Sequence, residues 1–121
     1  MLFYFLPSSL QVYYAARDGN QITLCALLSG QTESDQRMLL SAKTDDFGQE
    51  TTPLIIAAKN GHDKVIHALL EQYSPDLGQT GSVKIGNFMI EKASALWVAA
   101  GSGHLKIVKM LVHAGAEVNQ A

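Results

Sequence analysis

The chain has 121 residues, enough for one folded unit, and its 47% hydrophobic content can supply a core. Nine basic and 11 acidic residues give a net charge of −2, with neither sign gathered into a block, so the electrostatic footprint of a nucleic-acid binder is missing. A single cysteine, Cys25, excludes an internal disulfide and a multi-cysteine zinc site, and agrees with a reducing compartment, cytoplasm or nucleus.

The opening MLFYFLP has no basic stretch ahead of its apolar run, which stops at Pro7. No segment reaches the roughly 18 apolar residues of a membrane helix, and no targeting signal is expected. Leu2 to Leu6 should either cover an open end of the fold or form a disordered start. From residue 12 the chain repeats itself: VYYAARDGN at 12, LIIAAKNGH at 54 and LWVAAGSGH at 96 align without gaps, 42 residues apart both times. Leu27-Leu28, Leu69-Leu70 and Leu111-Val112 keep the same register.

Each copy reads as two antiparallel helices. Copy one has Leu10-Gln11 where a cap should stand, so Ser8 or Ser9 would start its first helix, and Cys25 falls among Leu24, Ala26 and Leu27 as a packed thiol rather than a nucleophile. An insertion follows from Gln31 to Glu50. Its TESDQRMLL predicts a short helix capped by Thr32 or Ser34, and its KTDDFGQ a flexible loop. In copy two Thr52 can cap a helix with Pro53 at its first position, Ala57-Ala58 keep it thin, and Gly61 ends it. Val65, Ile66, Leu69 and Leu70 then form the apolar stripe of a second helix. The next insertion, Ser74 to Lys92, contains VKIGNFMI, two β-prone runs joined by Gly86-Asn87, which suit a two-residue hairpin turn. GQTGS, at 78 to 82, lacks the Lys-Ser/Thr and helix start of a phosphate cradle and reads as a loop before a strand. Copy three repeats the pattern with Ser94, Ala99-Ala100, Gly103, and Ile107, Val108, Leu111 and Val112. Its second helix is as apolar as that of copy two, so Ile107, Val108 and Leu111 should form an exposed patch that more chain or a partner covers. A fragment or truncated product is the expectation there, with the chain stopping at Asn119-Gln120-Ala121.

TPLIIAAKNGHDKVIHALLEQY and SALWVAAGSGHLKIVKMLVHAGAEVN resemble ankyrin repeats in their helix start, alanine pair, Gly-His and Leu-Leu. The resemblance implies an all-α ankyrin-repeat solenoid over residues 1–121, with repeats at about 8–30, 52–73 and 94–115, an inserted helix at about 32–41 and a hairpin finger at about 82–91. His62 and His104 belong to that pattern as structural residues and not as metal ligands, while His67 and His113 should be solvated. An ordinary unit has about 33 residues, so each junction carries roughly nine more, and the lengthened finger should reach over the concave face where partners bind.

No G-x-S-x-G, P-loop, H-E-x-x-H or C-x-x-C occurs, and Asp45-Asp46 have no histidine or ligand partner nearby in sequence. No enzyme and no cofactor is expected. VYYAARDGN, TESDQRMLL, TPLIIAAKNGH, QTGSVKIGNFMIE and SALWVAAGSGH, in this order and spacing, resemble the N-terminal repeats of the feminization (Fem) family, closest to its B-type member, over residues 10 to 119. That family implies the substrate receptor of a cullin-RING ubiquitin ligase. Its ankyrin repeats capture the C-terminal tail, or C-degron, of a target, often one ending in arginine, and a separate box that docks elongin and cullin is absent from this chain. The family finger resembles V-x-F-D-G-[YE]-x-I, which places its aspartate on Gly86, its glycine on Asn87, its phenylalanine on Ile85 and the B-type aromatic on Phe88. Trp97 stands where copy two has Ile55, either as packing between finger and helix or as a ligand contact. Ile85, Asn87, Phe88 and Trp97 are therefore the candidate partner-binding residues. The alternative is a generic ankyrin scaffold or an inactive receptor fragment.

Overall fold

The computed structural model describes residues 6–117, so the expectations for Leu2 to Phe5 and for Asn119-Gln120-Ala121 lie outside the described residues. Elements follow one another as α1 (Ser8–Arg17), α2 (Gln21–Ser29), α3 (Glu33–Ser41), β1 (Thr44–Asp46), β2 (Gln49–Thr51), α4 (Pro53–Asn60), α5 (Asp63–Gln72), β3 (Thr80–Ile85), β4 (Phe88–Ser94), α6 (Ala95–Gly101) and α7 (Leu105–His113). With seven helices and two antiparallel hairpins among the described residues, the chain is helix-rich rather than all-α.

Helix starts follow the side chains that can satisfy free N–H groups. Thr52 accepts from the Ile55 amide and Ser94 from the Trp97 amide, each at 3.4 Å, and Pro53 occupies the first turn of α4. Thr32, rather than Ser34, caps α3 by accepting from the Asp35 amide at 3.1 Å, with Glu33 and Asp35 placed favourably toward the helix dipole. Copy one differs. Pro7 precedes α1 without any side-chain cap bond, and Ser8 and Ser9 lie within the first turn.

The helix pairs form a row. α1 packs on α4 and α4 on α6; α2 packs on α5 and α5 on α7; α3 lies against α1 and α4. The hairpins stand side by side along one edge, with β2 against β3. Each junction is locked by an imidazole. His62 Nε2 lies 2.8 Å from the Arg17 carbonyl and His104 Nε2 2.9 Å from that of Lys59, as donor to acceptor, and each ring covers a glycine of the preceding copy. Gly19 and Gly61 both have φ of +76°, and an added Cβ would fall 2.6 Å from the His62 ring and 2.7 Å from the His104 ring.

Two expectations are corrected. KTDDFGQ is not a flexible loop: β1 and β2 pair Thr44 with Thr51, Asp45 with Glu50 and Asp46 with Gln49. Phe47 and Gly48, at φ 52° and 88°, form a turn of the type I′ class, and the Gly48 amide donates to Asp45 Oδ1 at 2.9 Å. Its ordering comes from afar. Tyr13 of α1, fully buried, donates to Asp46 Oδ2 at 2.8 Å and accepts from Thr51 Oγ1 at 2.6 Å, which pins both strands. Nor do Ile107 and Leu111 form an exposed patch. Each is only 1% exposed, because the i, i+4 face they share points into the core, and the open surface of copy three is made by Trp97, Leu105 and Val112 instead.

Candidate functional site: a cleft between finger and helix

The second hairpin is longer than its turn sequence alone requires. Ile85 pairs with Phe88, Lys84 with Met89 and Val83 with Ile90; then Glu91 and Lys92 together oppose Ser82 before Gly81 pairs with Ala93. This is a β-bulge, and Lys92 takes a positive φ of 57° within it. At the tip Gly86 has φ +62° and Asn87 does not have a positive φ, the pattern of a type II′ turn with glycine at its first position.

Between this hairpin and α6 lies an apolar cleft of about 310 Å3. The finger contributes Ile85, Phe88, Ile90 and Ala93, and the helix Trp97, Val98 and Gly101. Gly101 matters for its size: a Cβ there would come 3.1 Å from Ile85 Cδ1, so the finger settles on the helix at that point. Phe88 is 73% exposed and Trp97 47%, leaving two aromatic faces open to solvent across one cleft.

Of the four candidates from the sequence, Ile85, Phe88 and Trp97 share this cleft, while Asn87 is exposed at the turn and does not line it. Ile90 was missed although strand alternation puts it on the face of Phe88. Gly101 was missed too, and its signal was the repeat itself, because Arg17 and Lys59 hold that position in the earlier copies.

Where β2 meets β3 the contacts are polar. Gln49 Oε1 accepts from Lys59 Nζ at 2.5 Å and from the Lys84 amide at 2.8 Å. Burial holds the Lys59 pKa below the usual lysine value, and the Lys84 ammonium adds to this while the Asp46 carboxylate opposes it. Arg17 lies over the Tyr14 ring, 4.5 Å from its centroid, and bonds Asp18 at 3.0 Å, the contact that chiefly raises its pKa. Burial likewise pushes the Tyr13 phenol well above its usual value, with Asp46 assisting and the Thr51 bond opposing. Cys25 is half-buried on α2, and His67 and His113 are exposed. Among the described residues no three His, Cys, Asp or Glu side chains are grouped to hold a metal ion, and no helix is long and apolar enough to cross a membrane.

A larger cleft of about 540 Å3 opens over α1 and α2, lined in part by Tyr14, Thr23 and Leu27. One period later the same positions are Ile56, Val65 and Leu69, all buried against the preceding pair. Among the described residues it is the uncovered side of copy one, not a built pocket.

Paired helices joined by Gly-Asn or Gly-His turns, stacked in register and edged by hairpins, are the arrangement of ankyrin repeats. A family profile of ankyrin repeats, three copies, matches residues 12–121, and the chain belongs to the ankyrin-repeat family. It is similar to Protein fem-1 homolog CG6966 of Drosophila melanogaster, 43% identical over 108 residues, and to Protein fem-1 homolog C of Xenopus laevis, 41% identical over 108 residues. Sex-determining protein fem-1 of Caenorhabditis elegans is 36% identical over 111 residues. These alignments cover 89–91% of this chain but only 16–17% of each relative, so the chain spans about a sixth of their length.

Proposed function

We propose that this chain is a protein-interaction module, the degron-binding part of a Fem-like substrate receptor, and that it holds an extended protein tail at the finger–helix cleft. The observation that carries this is the pair of exposed aromatic side chains, Phe88 and Trp97, facing an apolar cleft on ordered elements. Such rings supply large contact area at small entropic cost, as binding anchors do. Identity of 36–43% to proteins named fem-1 or its homologues supports the family side of the reading, and Phe88 directly after the turn supports the B-type member. In this reading residues 1–121 form one ankyrin solenoid that works in the cytoplasm or nucleus, its partners are protein C-terminal tails, and neither catalysis nor a cofactor is involved.

The turn sets a limit on the partner. Gly86 and Asn87 stand where the resembled finger carries Asp-Gly, so no carboxylate is available there for a terminal arginine. A charge-assisted carboxylate–guanidinium contact contributes about 1.5–3 kcal/mol, and arginine-ended tails should bind weakly. That same loss favours the second reading, a generic ankyrin scaffold without degron affinity.

Titration of arginine-ended and leucine-ended peptides, followed by calorimetry and by the emission of Trp97, the single tryptophan, tests both. The expected result is weak binding by the parent chain, lost on Phe88→Ala or Trp97→Ala. Gly86→Asp with Asn87→Gly should recover arginine-dependent affinity in a chain extended by further repeats, since open space surrounds Gly86. No peptide binding in any variant supports the scaffold. Tight arginine-dependent binding by the parent, unchanged by the double substitution, removes Gly86 as the determinant.

A further inference from the structure

Two of the three prolines follow a hydroxyl side chain, in Thr52-Pro53 and Ser74-Pro75, and the fold gives these two pairs opposite settings. Thr52 is 0% exposed, its hydroxyl caps α4 by accepting from the Ile55 amide, and Pro53 is buried in the first turn. Ser74 is exposed just past the end of α5, in the connection that leads to β3, and its hydroxyl makes no hydrogen bond among the described residues. Tyr73 before it is extended, at φ −128° and ψ 170°, and Pro75 after it disfavours the helical region for Ser74. An open serine in extended backbone ahead of a proline has the local shape that a proline-directed protein kinase accepts. The surroundings also supply a counter-charge. Clefts of about 280 and 300 Å3 flank Ser74, and Arg37 and Leu40 of α3 line both. Leu40 is buried and holds the helix in place, whereas the Arg37 guanidinium is exposed and forms no ion pair among the described residues.

We propose that Ser74 is a phosphorylation site for a proline-directed protein kinase, and that Arg37 receives the phosphate and so ties α3 to the root of the second hairpin. In the transfer, Ser74 Oγ bonds to the γ-phosphorus of ATP, the bond from that phosphorus to the bridging oxygen breaks, ADP leaves with the electron pair, and the hydroxyl proton passes to the kinase's base. Three features oppose the added charge. Glu33 lines one cleft and Asp76 the other, but Glu33 sits in the first turn of α3, where the helix dipole favours it, and Asp76 Oδ1 is turned to its own loop, accepting from the Gly78 amide at 2.9 Å. The last carbonyls of α5 disfavour an anion as well, an effect that falls off within a turn and is screened in solvent. Against these, a guanidinium can donate to two phosphate oxygens at once, the stronger kind of contact. The same chemistry at Thr52 is closed, since its hydroxyl and its proline are both inside the fold.

Incubating the full chain with a proline-directed kinase and radiolabelled ATP, followed by peptide mapping, tests the site. The expected result is a single phosphate on Ser74 and none on Thr52, with labelling abolished by Ser74→Ala and cut about tenfold by Pro75→Ala. Both substitutions lie outside the helices and strands, and thermal melts check that each variant is folded. The role of Arg37 is read in the phosphorylated chain by phosphorus NMR. The second pKa of the phosphoserine should be about 0.5 higher in Arg37→Gln than in the parent, because the guanidinium favours the dianion. Phosphorylation should also shift the midpoint of thermal unfolding less favourably in that variant. Labelling undiminished in Ser74→Ala overturns the proposal, as does a folded chain that stays unlabelled, whether or not an unfolded peptide of residues 68–81 accepts phosphate. Identical phosphoserine titrations and identical midpoint shifts with and without the guanidinium overturn the pairing with Arg37.

Discussion

Tyr13 shows how one side chain can order a segment 33 residues away. Its hydroxyl satisfies Asp46 and Thr51 in a buried setting, so Tyr13→Phe leaves a carboxylate oxygen and a hydroxyl short of a partner and should cost about 1–3 kcal/mol in denaturant melts. Tyr14→Phe, one residue on and half-buried, keeps the ring under Arg17 and should change little. A Tyr13→Phe variant as stable as the parent would remove this account of the first hairpin. Alkaline titration gives a second readout. Because the folded phenol has a raised pKa, its contribution is complete below the ordinary tyrosine value of 10.0 and is lost as pH rises above it, when the unfolded chain ionises first. That alkaline loss should be smaller in the phenylalanine variant. The histidines were legible at this scale from the repeat alone. Tyr13 was not, since a tyrosine in an apolar run reads as packing until its hydroxyl is seen to have partners.

At the scale of elements, the helices were legible and the first hairpin was not. Thr52-Pro53 and Ser94 announce their helices by local chemistry, and the Gly86-Asn87 turn announces its hairpin. TDDFGQET carries no apolar alternation, because the inward side chains of β1 and β2 are Thr44, Asp46, Gln49 and Thr51, the last three held by hydrogen bonds rather than by hydrophobic burial. Polar strands of this kind look like loops in sequence. The turn itself is strained. Phe47 sits at φ 52° with 88% of its surface exposed, so it bears a conformational cost with little packing to offset it. Phe47→Asn creates the Asn-Gly pair that a type I′ turn favours and should stabilise the chain by about 0.5–1 kcal/mol. A lower denaturation midpoint would mean that Phe47 makes contacts worth more than its strain.

For the whole molecule, stability should grade along the stack according to how many neighbours each copy has. Ile66 and Val108 occupy the same register position, one fully buried between copies and the other half-buried at the open end. Ile66→Ala is therefore expected to cost about 2–5 kcal/mol, and Val108→Ala less than about 1.5 kcal/mol. Equal losses in urea melts would show that the outer face of α7 is covered in solution. The sequence by itself determined the repeat, its 42-residue register, the helix pairs and the finger turn, because caps, apolar spacing and turn dipeptides act over a few residues and recur. Only the tertiary structure decided which apolar residues of α7 lie inside, that Tyr13 orders a polar hairpin, and that Ile85, Phe88 and Trp97 come to share one cleft. Those outcomes depend on which face each element turns toward a neighbour distant in the chain, and periodicity identifies a helix's faces without saying which neighbour will cover them.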